Sequence, residues 1–454
     1  MFMVYFNGAR PRPRIFRKIE GGIAMAQSTE KACRNQIMYS VFVRNHTPEG
    51  TFEGVGRDLK RIKALGTDIV WLMPIHPIGE KHRKGTLGSP YAIRDYRAVN
   101  PEYGTLKDFQ HLVDEIHALG MKCIIDVVYN HTSPDSWLAE HHPEWFYHKP
   151  DGSFGNRVGD WWDVIDLDYG NPGLWDYQIE TLKYWAGMVD GFRCDVAPLV
   201  PLDFWLRARA EVEAVRPGCL WLAESVEPEF VREGRAGGLA VLSDAECFQA
   251  FDVCYDYDIF HDFHKYLRGE VPLAFYADRI NRQEITYPDN YVKLRFLENH
   301  DQARAAFVIP SGLARLNWTA FTYFQKGMTL IYAGQEAECT HRPSLFDKDD
   351  VAWNLNEGVT RLFQQLAKLK RHPLLADSRY EVTALPRDVL RAEHRKGTQR
   401  LTGLFSVGGE PSLAPVDAPD GLYRNLLDEH GGSVEVFGGM VSVKGAPLVF
   451  EWSV

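Results

Sequence analysis

The chain has 454 residues, of which 45% are hydrophobic and 25% charged, enough for one large domain and a small one. The formal net charge of −10, with no basic stripe, argues against nucleic acid and anionic membranes as partners. No apolar stretch approaches the ~18 uninterrupted residues of a membrane span, so we expect none.

The first 34 residues are expected to be a disordered or spurious N-terminal extension. A Pro/Arg-rich run at 10–18 has no apolar segment after it, so it is not a secretory signal. Met25 opens a more natural start, and 20–22 (Glu-Gly-Gly) resembles a translated ribosome-binding sequence. The folded chain is therefore expected to begin near residue 35.

Short apolar runs alternate with amphipathic helical patterns across residues 37–372. Thr105 is expected to cap a helix that ends at Gly120, and Asn171 and Pro172 are expected to begin another. Repeated β-then-α units predict an α/β fold, a (β/α)8 TIM barrel. Its predicted strands are 37–42, 68–73, 122–129, 191–196, 219–223, 251–255, 291–297 and 328–332.

Two segments depart from a bare barrel of 35–130 and 171–374. Residues 131–170 have no long helical pattern but many aromatic and acidic side chains. This pattern predicts a short inserted loop subdomain (subdomain B) after strand 3, over the active face. Residues 375–454 show short alternating runs with glycine turns, which predict a small C-terminal all-β domain, a β-sandwich.

Acidic residues stand at or near the ends of several predicted strands. Asp195 follows Gly-Phe-Arg-Cys, Glu224 follows Trp-Leu-Ala, and Asp301 and Asp126 lie in two further runs. Charged groups are unfavourable inside a barrel of strands, so carboxylates at strand ends indicate a chemical role. Paired carboxylates are typical of enzymes that break glycosidic bonds.

Retaining cleavage needs a carboxylate nucleophile and a carboxylic acid about 5 Å away. Asp195 and Glu224 lie on consecutive predicted strands, so their side chains can meet at the barrel mouth. Arg193, on the same face as Asp195, is expected to hold that carboxylate ionised. Glu224 must be protonated at rest, so we expect burial and carboxylates such as Asp301 to raise its pKa.

Four segments in chain order carry a resemblance to a known family: 126–131, 191–195, Glu224 and 299–301. They resemble the four hallmark regions of the α-amylase superfamily, glycoside hydrolase family 13, and the resemblance covers residues 36–454. It implies Asp195 as nucleophile, Glu224 as acid/base and Asp301 as transition-state stabiliser. At the cleaved sugar it implies Tyr91, His131, Arg193 and His300.

No cofactor is required by this chemistry, and we expect no metal site. Many α-amylases carry Lys-His after the nucleophile, where the histidine backbone helps bind calcium, but here Pro198 and Leu199 occupy these positions. Asn130 matches a calcium-ligand position; we favour a buried amide brace there and keep a structural calcium as the weaker alternative. Seven cysteines, an odd number without a CxxC pair, argue against a disulfide framework and a zinc site.

Other residues have competing interpretations. Asp126 is expected to be a structural partner of Arg193 rather than a catalytic group. The alternative for Asp195 and Glu224 is a structural ion pair with barrel arginines, and for Tyr91 an ordinary core aromatic. For two further side chains, stacking on sugar and packing of the inserted segment stay equally open: Trp161 and Trp162.

The leading hypothesis is retaining hydrolysis of α-1,4-glucosidic bonds in maltooligosaccharides through a covalent glucosyl-enzyme intermediate. Ala92, where exo-acting relatives often carry an acid, favours oligosaccharide or endo cleavage. The alternatives are an α-glucosidase, cyclomaltodextrinase or glucosyltransferase of the same superfamily and, from another class, a non-catalytic sugar-binding homologue. Free cysteines and the lack of a secretion signal indicate a cytoplasmic enzyme.

Overall fold

A computed structural model describes residues 29–158 and 161–454. Its first ten strands, numbered in chain order, include eight barrel strands and a short pair, β4 and β5, in the inserted segment. They are β1 Ile37–Val41, β2 Ile69–Leu72, β3 Lys122–Val127, β4 His131–Thr132, β5 Ile165–Asp166, β6 Gly191–Cys194, β7 Leu220–Ala223, β8 Val253–Tyr255, β9 Lys293–Arg295 and β10 Met328–Tyr332.

The barrel is closed and parallel, with the spatial strand order β1-β10-β9-β8-β7-β6-β3-β2. The (β/α)8 fold expected from the sequence is therefore confirmed, and each predicted apolar run contains one barrel strand. Every residue of β1, β2 and β10 is buried, because side chains fill the interior and helices cover the outside.

The α-helices follow the barrel strands and form the outer layer. Thr105 caps the helix Leu106–Ala118 through a capping box with Asp108, and Pro172 is the first residue of the helix Pro172–Ala186, as the sequence predicts. The helices are α1 Val43–His46, α2 Phe52–Ala64, α3 Leu106–Ala118, α4 Trp137–His141, α5 Pro172–Ala186, α6 Leu202–Glu213, α7 Pro228–Ala236, α8 Asp244–Cys247, α9 Tyr257–Leu267, α10 Leu273–Thr286, α11 Ala305–Val308, α12 Gly312–Phe324, α13 Glu357–Lys370 and α14 Pro373–Ala376.

Gly191 begins β6, the strand that leads to Asp195, and lies against its neighbours with no room for a side chain. A Cβ there would lie 2.4 Å from the carbonyl oxygen of Leu220 and 3.0 Å from Cγ2 of Ile124. The backbone contact cannot relax without moving β6 away from β7.

Gly191→Ala is therefore expected to lower the free energy of unfolding by about 1–3 kcal/mol through overpacking. Chemical denaturation monitored by tryptophan fluorescence measures this change. The matched control is Gly312→Ala, because the nearest atom to a Cβ at Gly312 is 3.9 Å away. Equal stability of the two variants would contradict the steric argument.

The segment between β3 and α5 contains the short antiparallel pair β4 and β5, in which His131 faces Asp166. Helix α4 and a 3-10 turn at Pro143–Trp145 complete it. The Trp145 ring stacks on His142 with centroids 3.8 Å apart. The inserted loop subdomain expected after strand 3 is present, and β4 places His131 at the barrel mouth.

The C-terminal part forms two four-stranded antiparallel sheets, ordered β11-β12-β13-β18 and β14-β17-β16-β15. Buried side chains from both sheets, such as Leu404 and Val441, form one apolar core between them, the arrangement of a β-sandwich. The strands are β11 Arg379–Leu385, β12 Val389–Lys396, β13 Gln399–Ser406, β14 Ser412–Pro415, β15 Gly421–Arg424, β16 Ser433–Phe437, β17 Met440–Val443 and β18 Leu448–Ser453.

The expected N-terminal extension is only partly within the described structure, since residues 1–28 lie outside it. For residues 29–34 the expectation is wrong, because they pack on the barrel. Arg34 is fully buried and donates to the carbonyl oxygens of Tyr291 at 2.9 Å and Ala376 at 2.7 Å. A buried guanidinium group needs such hydrogen-bond partners. The Arg-rich run before residue 29 made Arg34 look like part of the same extension, so its burial was not expected.

Among residues 29–158 and 161–454, we find no helix with the length and apolar character needed to cross a membrane.

Candidate active site

The predicted site residues lie at the carboxyl ends of barrel strands. Asp195 directly follows β6 and Glu224 directly follows β7, while Tyr91 lies in the long connection between β2 and α3. Because carboxyl ends of parallel strands meet at one edge of a barrel, these side chains converge at one mouth. Of the others, His131 follows β3, His300 and Asp301 follow β9, and Arg193 lies within β6.

Arg193 is the centre of the site. Its fully buried Nη1 donates to Asp126 Oδ1 and to Asp195 Oδ1, each at 2.9 Å. Its Nη2 lies 3.0 Å from Glu224 Oε1, an ion pair outside hydrogen-bond geometry. One guanidinium thus spans both candidate catalytic carboxylates, and the expected pairing of Asp126 with Arg193 is confirmed.

Val196 holds the second oxygen of Glu224. Its backbone N–H donates to Glu224 Oε2 at 2.7 Å. Val196 has φ of 34° and ψ of 45°, the left-handed region, which a β-branched residue rarely adopts. Strained backbone of this kind is typical of functional sites, where the surrounding structure imposes it.

Tyr91, His300 and Asp301 form the other side of the site. The Tyr91 hydroxyl lies 2.7 Å from His300 Nε2 and donates to Asp126 Oδ2 at 3.2 Å. The same His300 nitrogen is 3.0 Å from Asp301 Oδ2, and the Tyr91 and His300 rings stack at 5.4 Å. The side chain of Asp301 is 42% exposed, so it faces the space above the cluster.

Burial changes the proton affinity of both central carboxylates. It raises the pKa of Glu224 to about 8, although Arg193 opposes the shift, and the charges of Asp195 and Asp301 raise it further. Burial likewise raises the pKa of Asp195 to about 7, against the opposing effect of Arg193. The order of the two values favours an ionised Asp195 beside a protonated Glu224.

The expectation that Arg193 holds Asp195 ionised is therefore only partly met. The guanidinium lowers the pKa of Asp195, but it is shared with Asp126 and Glu224, and desolvation has the larger effect. Sequence spacing located the arginine but did not reveal how many carboxylates it contacts.

The two remaining polar groups, His131 and Asp301, both have a lowered pKa. Burial lowers the pKa of His131 to about 3, so this ring is neutral near pH 7 and suits hydroxyl groups as a hydrogen-bond partner. Burial alone would raise the pKa of Asp301, but the neighbouring His300 reverses the effect and the net pKa lies below its usual value. His131 Nε2 lies 3.8 Å from Asp195 Oδ2.

Asn130, which matches a calcium-ligand position of the family, has partners within the chain. The Asn130 amide nitrogen contacts His131 Nδ1 at 3.1 Å, and its backbone oxygen accepts from Leu167. Over residues 29–158 and 161–454, no cluster of three His, Cys, Asp or Glu residues is arranged to hold a metal. Asn130 thus links His131 to Leu167.

Several contacts of the site lacked a sequence signal. Tyr255 accepts from Arg193 Nε at 3.3 Å, and the Trp71 ring lies 5.2 Å from the guanidinium carbon. Arg342 donates to the backbone oxygen of Asp301 at 2.5 Å. Trp161 lies 5.3 Å from the His131 ring, whereas Trp162 is 57% exposed. Trp161 and Trp162 were singled out in the sequence as possible sugar-stacking residues, whereas Tyr255, Trp71 and Arg342 lie outside its motifs.

Family comparison agrees with this geometry. Residues 21–215 match the α-amylase catalytic domain, and residues 381–450 match the bacterial α-amylase C-terminal domain. The two matched regions correspond to the first half of the barrel and to the β-sandwich.

Two crystal structures are similar over nearly the whole chain. An α-amylase from Lactobacillus plantarum is 50% identical with a TM-score of 0.91, covering 93% of this chain and 100% of that one. A maltogenic α-amylase from Thermotoga neapolitana is 32% identical with a TM-score of 0.82, covering 93% and 99%.

Sequence relatives include a set of transferases. An α-1,4-glucan:maltose-1-phosphate maltosyltransferase from Streptomyces coelicolor is 34% identical over 237 residues, which are 47% of this chain and 34% of that protein. The match thus spans about a third of the length of this relative. This chain covers the whole length of the Lactobacillus plantarum α-amylase at 50% identity, so it belongs to the α-amylase family.

Proposed function

We propose that the chain is a retaining glycosidase that cleaves α-1,4-glucosidic bonds in maltooligosaccharides. The observation that carries this proposal is the single Arg193 guanidinium bound to both Asp195 and Glu224. Because Asp195 and Glu224 contact the same guanidinium, the geometry supports a short separation between their carboxylates. A double displacement needs such a short separation, whereas inverting enzymes have a wider one.

In the first step, Glu224 gives its proton to the glycosidic oxygen while an Asp195 oxygen attacks the anomeric carbon. The bond from that carbon to the leaving oxygen breaks, and a glucosyl ester of Asp195 forms. In the second step, ionised Glu224 takes a proton from water, whose oxygen attacks the same carbon and releases Asp195. Two inversions return the product to the α-anomer.

The remaining predicted residues have supporting roles in this proposal. Asp301 stabilises the positive charge that develops on the sugar ring, and its exposed carboxylate suits that task. The ring of Tyr91 stacks on the cleaved sugar, while His131 and His300 form hydrogen bonds with its hydroxyl groups. The division into a barrel of 35–130 and 171–374, an inserted segment of 131–170 and a C-terminal domain of 375–454 belongs to the same proposal, as does a cytoplasmic location.

Transfer to a sugar is the second candidate, because hydrolysis and transfer share the glucosyl-enzyme and differ only in the acceptor. The names of two similar proteins favour a maltosyl unit as the transferred or released group. One is a maltogenic amylase and the other a maltosyltransferase that uses maltose 1-phosphate. We propose a maltosyl unit as the preferred glycosyl group for this chain as well.

The experiment that separates these candidates is the early product distribution from maltoheptaose, resolved by anomer. Retaining hydrolysis is expected to give shorter oligosaccharides that appear first as α-anomers. Parallel reactions contain maltose 1-phosphate with a glucan acceptor, so chain extension with phosphate release would identify the transferase instead. Initial β-anomers would refute retention, and binding without any product would restore the sugar-binding alternative.

A further inference from the structure

A cavity of about 160 Å³ lies between the helices α11, α12 and α13 and the 3-10 turn Gln335–Ala337, which follows β10. Its floor is Glu298, whose side chain is 1% exposed and which directly precedes the 299–301 segment of the candidate active site. Among the described residues, those that line the cavity include none of the catalytic or sugar-binding residues named above. This cavity, called the α12–α13 pocket below, is therefore separate from the catalytic cluster.

The floor of the α12–α13 pocket is held by the ion pair of Glu298 with Arg304. Glu298 Oε1 accepts from Arg304 Nη1 at 2.6 Å, and Glu298 Oε2 accepts from the Ala305 N–H at 2.6 Å. Arg304 also donates to the Ala333 carbonyl oxygen at 2.9 Å, just after β10. Both oxygens of the buried carboxylate thus have partners, so the floor is fixed and its charge is balanced.

A second ion pair forms part of the pocket wall. Arg315 in α12 donates through Nε to Glu338 Oε1 at 3.0 Å and through Nη1 to the Ile309 carbonyl oxygen at 2.8 Å. The two carboxylates that line the pocket, Glu298 and Glu338, are therefore each paired with an arginine. A charged ligand would have to compete with these pairs, whereas a neutral ligand leaves both of them intact.

Two side chains in the pocket can accept hydrogen bonds from a ligand. The oxygen Oε1 of Gln335 is buried and has no hydrogen-bond partner within the described parts of the chain. A buried amide oxygen without a donor costs free energy, so this position favours a molecule that brings an O–H group. The Thr319 hydroxyl donates to the Arg315 carbonyl oxygen at 2.9 Å, which leaves its own oxygen able to accept.

The rest of the lining is largely apolar, and the size of the pocket limits the ligand to one ring. Leu316 in α12 and three residues of α13, Val359, Leu362 and Phe363, line the pocket. A closed apolar cavity of ~150 Å³ holds a single benzene ring. With about 160 Å³ and an opening to solvent, the pocket has room for one six-membered sugar ring and not for a chain of them. A pyranose combines an apolar ring face with hydroxyl groups at its edge, which matches this mixture of surfaces.

We propose that the α12–α13 pocket binds one neutral monosaccharide outside the active site, a role that goes beyond the proposed function. The hydroxyl groups of the sugar donate to Gln335 Oε1 and Thr319 Oγ1, and its ring face packs on Leu362 and Phe363. A sugar of about 12 non-hydrogen atoms held by so few contacts binds with a Kd on the order of millimolar. Only the choice of glucose as this sugar rests on the proposed function, because glucose is the monomer of the proposed substrate.

The test is a glucose titration followed by saturation-transfer NMR, with the full-length Asp195→Asn protein and saturating maltoheptaose to occupy the active site. One saturable glucose site is expected. Gln335→Leu in the same protein removes the acceptor at nearly constant size, so the Kd should rise about tenfold or more. Ala306→Leu fills part of the pocket and should have at least the same effect. Glucose 6-phosphate should bind at least about tenfold more weakly than glucose, because it is negatively charged and both arginines are already paired.

Gln110→Leu in α3 and Ala210→Leu in α6 are the matched controls. Both residues are exposed and lie outside the pocket, so the Kd for glucose is expected to stay unchanged in these variants. Gln335→Leu carries the test if Ala306→Leu fails to fold. Absence of a saturable glucose site, an unchanged Kd in Gln335→Leu, or equally tight binding of glucose 6-phosphate would overturn the pocket alone. If maltoheptaose does not bind, the proposed function fails, whereas glucose binding that Gln335→Leu weakens would still support the pocket.

Discussion

Asp195→Asn is expected to abolish turnover of maltooligosaccharides while the protein continues to bind them. The amide keeps the shape of the side chain and still accepts from Arg193, but it is not a nucleophile. Removal of a catalytic nucleophile typically lowers kcat by about 10⁴-fold or more. Steady-state kinetics on maltoheptaose and calorimetric titration of the same sugar measure the two effects separately.

The same variant is expected to keep or raise the melting temperature at pH 8. Burial raises the pKa of Asp195 to about 7, whereas an unfolded aspartate titrates near ~4. The folded state therefore binds the proton more tightly, and the stability contribution of Asp195 falls as pH rises through this interval. Asparagine does not titrate, so the variant does not lose this stability as the pH rises. Its melting temperature is therefore expected to exceed that of wild type at pH 8 and not at pH 4.

The control for this prediction is Asp252→Asn. Asp252 is buried and accepts from Arg209 at 2.9 and 2.6 Å, away from the mouth. Its loss leaves a buried guanidinium without its charged partner, so the melting temperature should fall while the folded fraction keeps its kcat. Wild-type turnover in Asp195→Asn would refute the assigned nucleophile.

Glu224→Gln is expected to lower kcat on maltooligosaccharides by about 10²–10⁴-fold, the usual contribution of a general acid. A sugar leaving group needs protonation, whereas a nitrophenolate leaves without it. An aryl maltoside is therefore expected to form the glycosyl-enzyme at close to the wild-type rate, with a burst of aryl product. Stopped-flow absorbance separates this burst from the slow steady state.

The pH dependence follows from the same two carboxylates. Catalysis needs Asp195 ionised and Glu224 protonated, so kcat/KM should rise through a pKa of about 7 and fall through one of about 8. These apparent values belong to the coupled pair. Glu224→Gln should remove the descending limb. The control Glu336→Gln, which changes a buried partner of Arg61 and Tyr39, should retain it. A descending limb that survives in Glu224→Gln would assign it to another group.

The barrel could be predicted because its signals are local. Each strand is a short apolar run, and each predicted run covers a strand that the structure contains. The predicted strand ends were less accurate. The strand predicted at 191–196 extends past Cys194, where β6 ends. Asp195 and Val196 look like further strand residues by composition, yet Val196 turns into the left-handed region. Its own side chain gives no sign of this, because the conformation is imposed by the surrounding site.

The candidate site was predictable where motif residues sit on strand ends, and unpredictable where distant segments meet. The convergence of Asp195 and Glu224 follows from the parallel order of β6 and β7. The contact of Arg342 with Asp301 joins residues from two irregular connections, and no periodic pattern specifies it. The net effect of Arg193 on Asp195 also needed structure, because it depends on three carboxylates that compete for one cation.

The competition of Asp126, Asp195 and Glu224 for the Arg193 guanidinium makes the barrel mouth selective for the charge of a ligand as well as for its shape. A single buried guanidinium faces more carboxylates than it can neutralise, so the mouth attracts positive charge in any ligand. Imino sugars with a protonated ring nitrogen should therefore bind more tightly than glucose of the same shape. Their advantage should grow as rising pH ionises Asp195 and shrink as added salt screens the field.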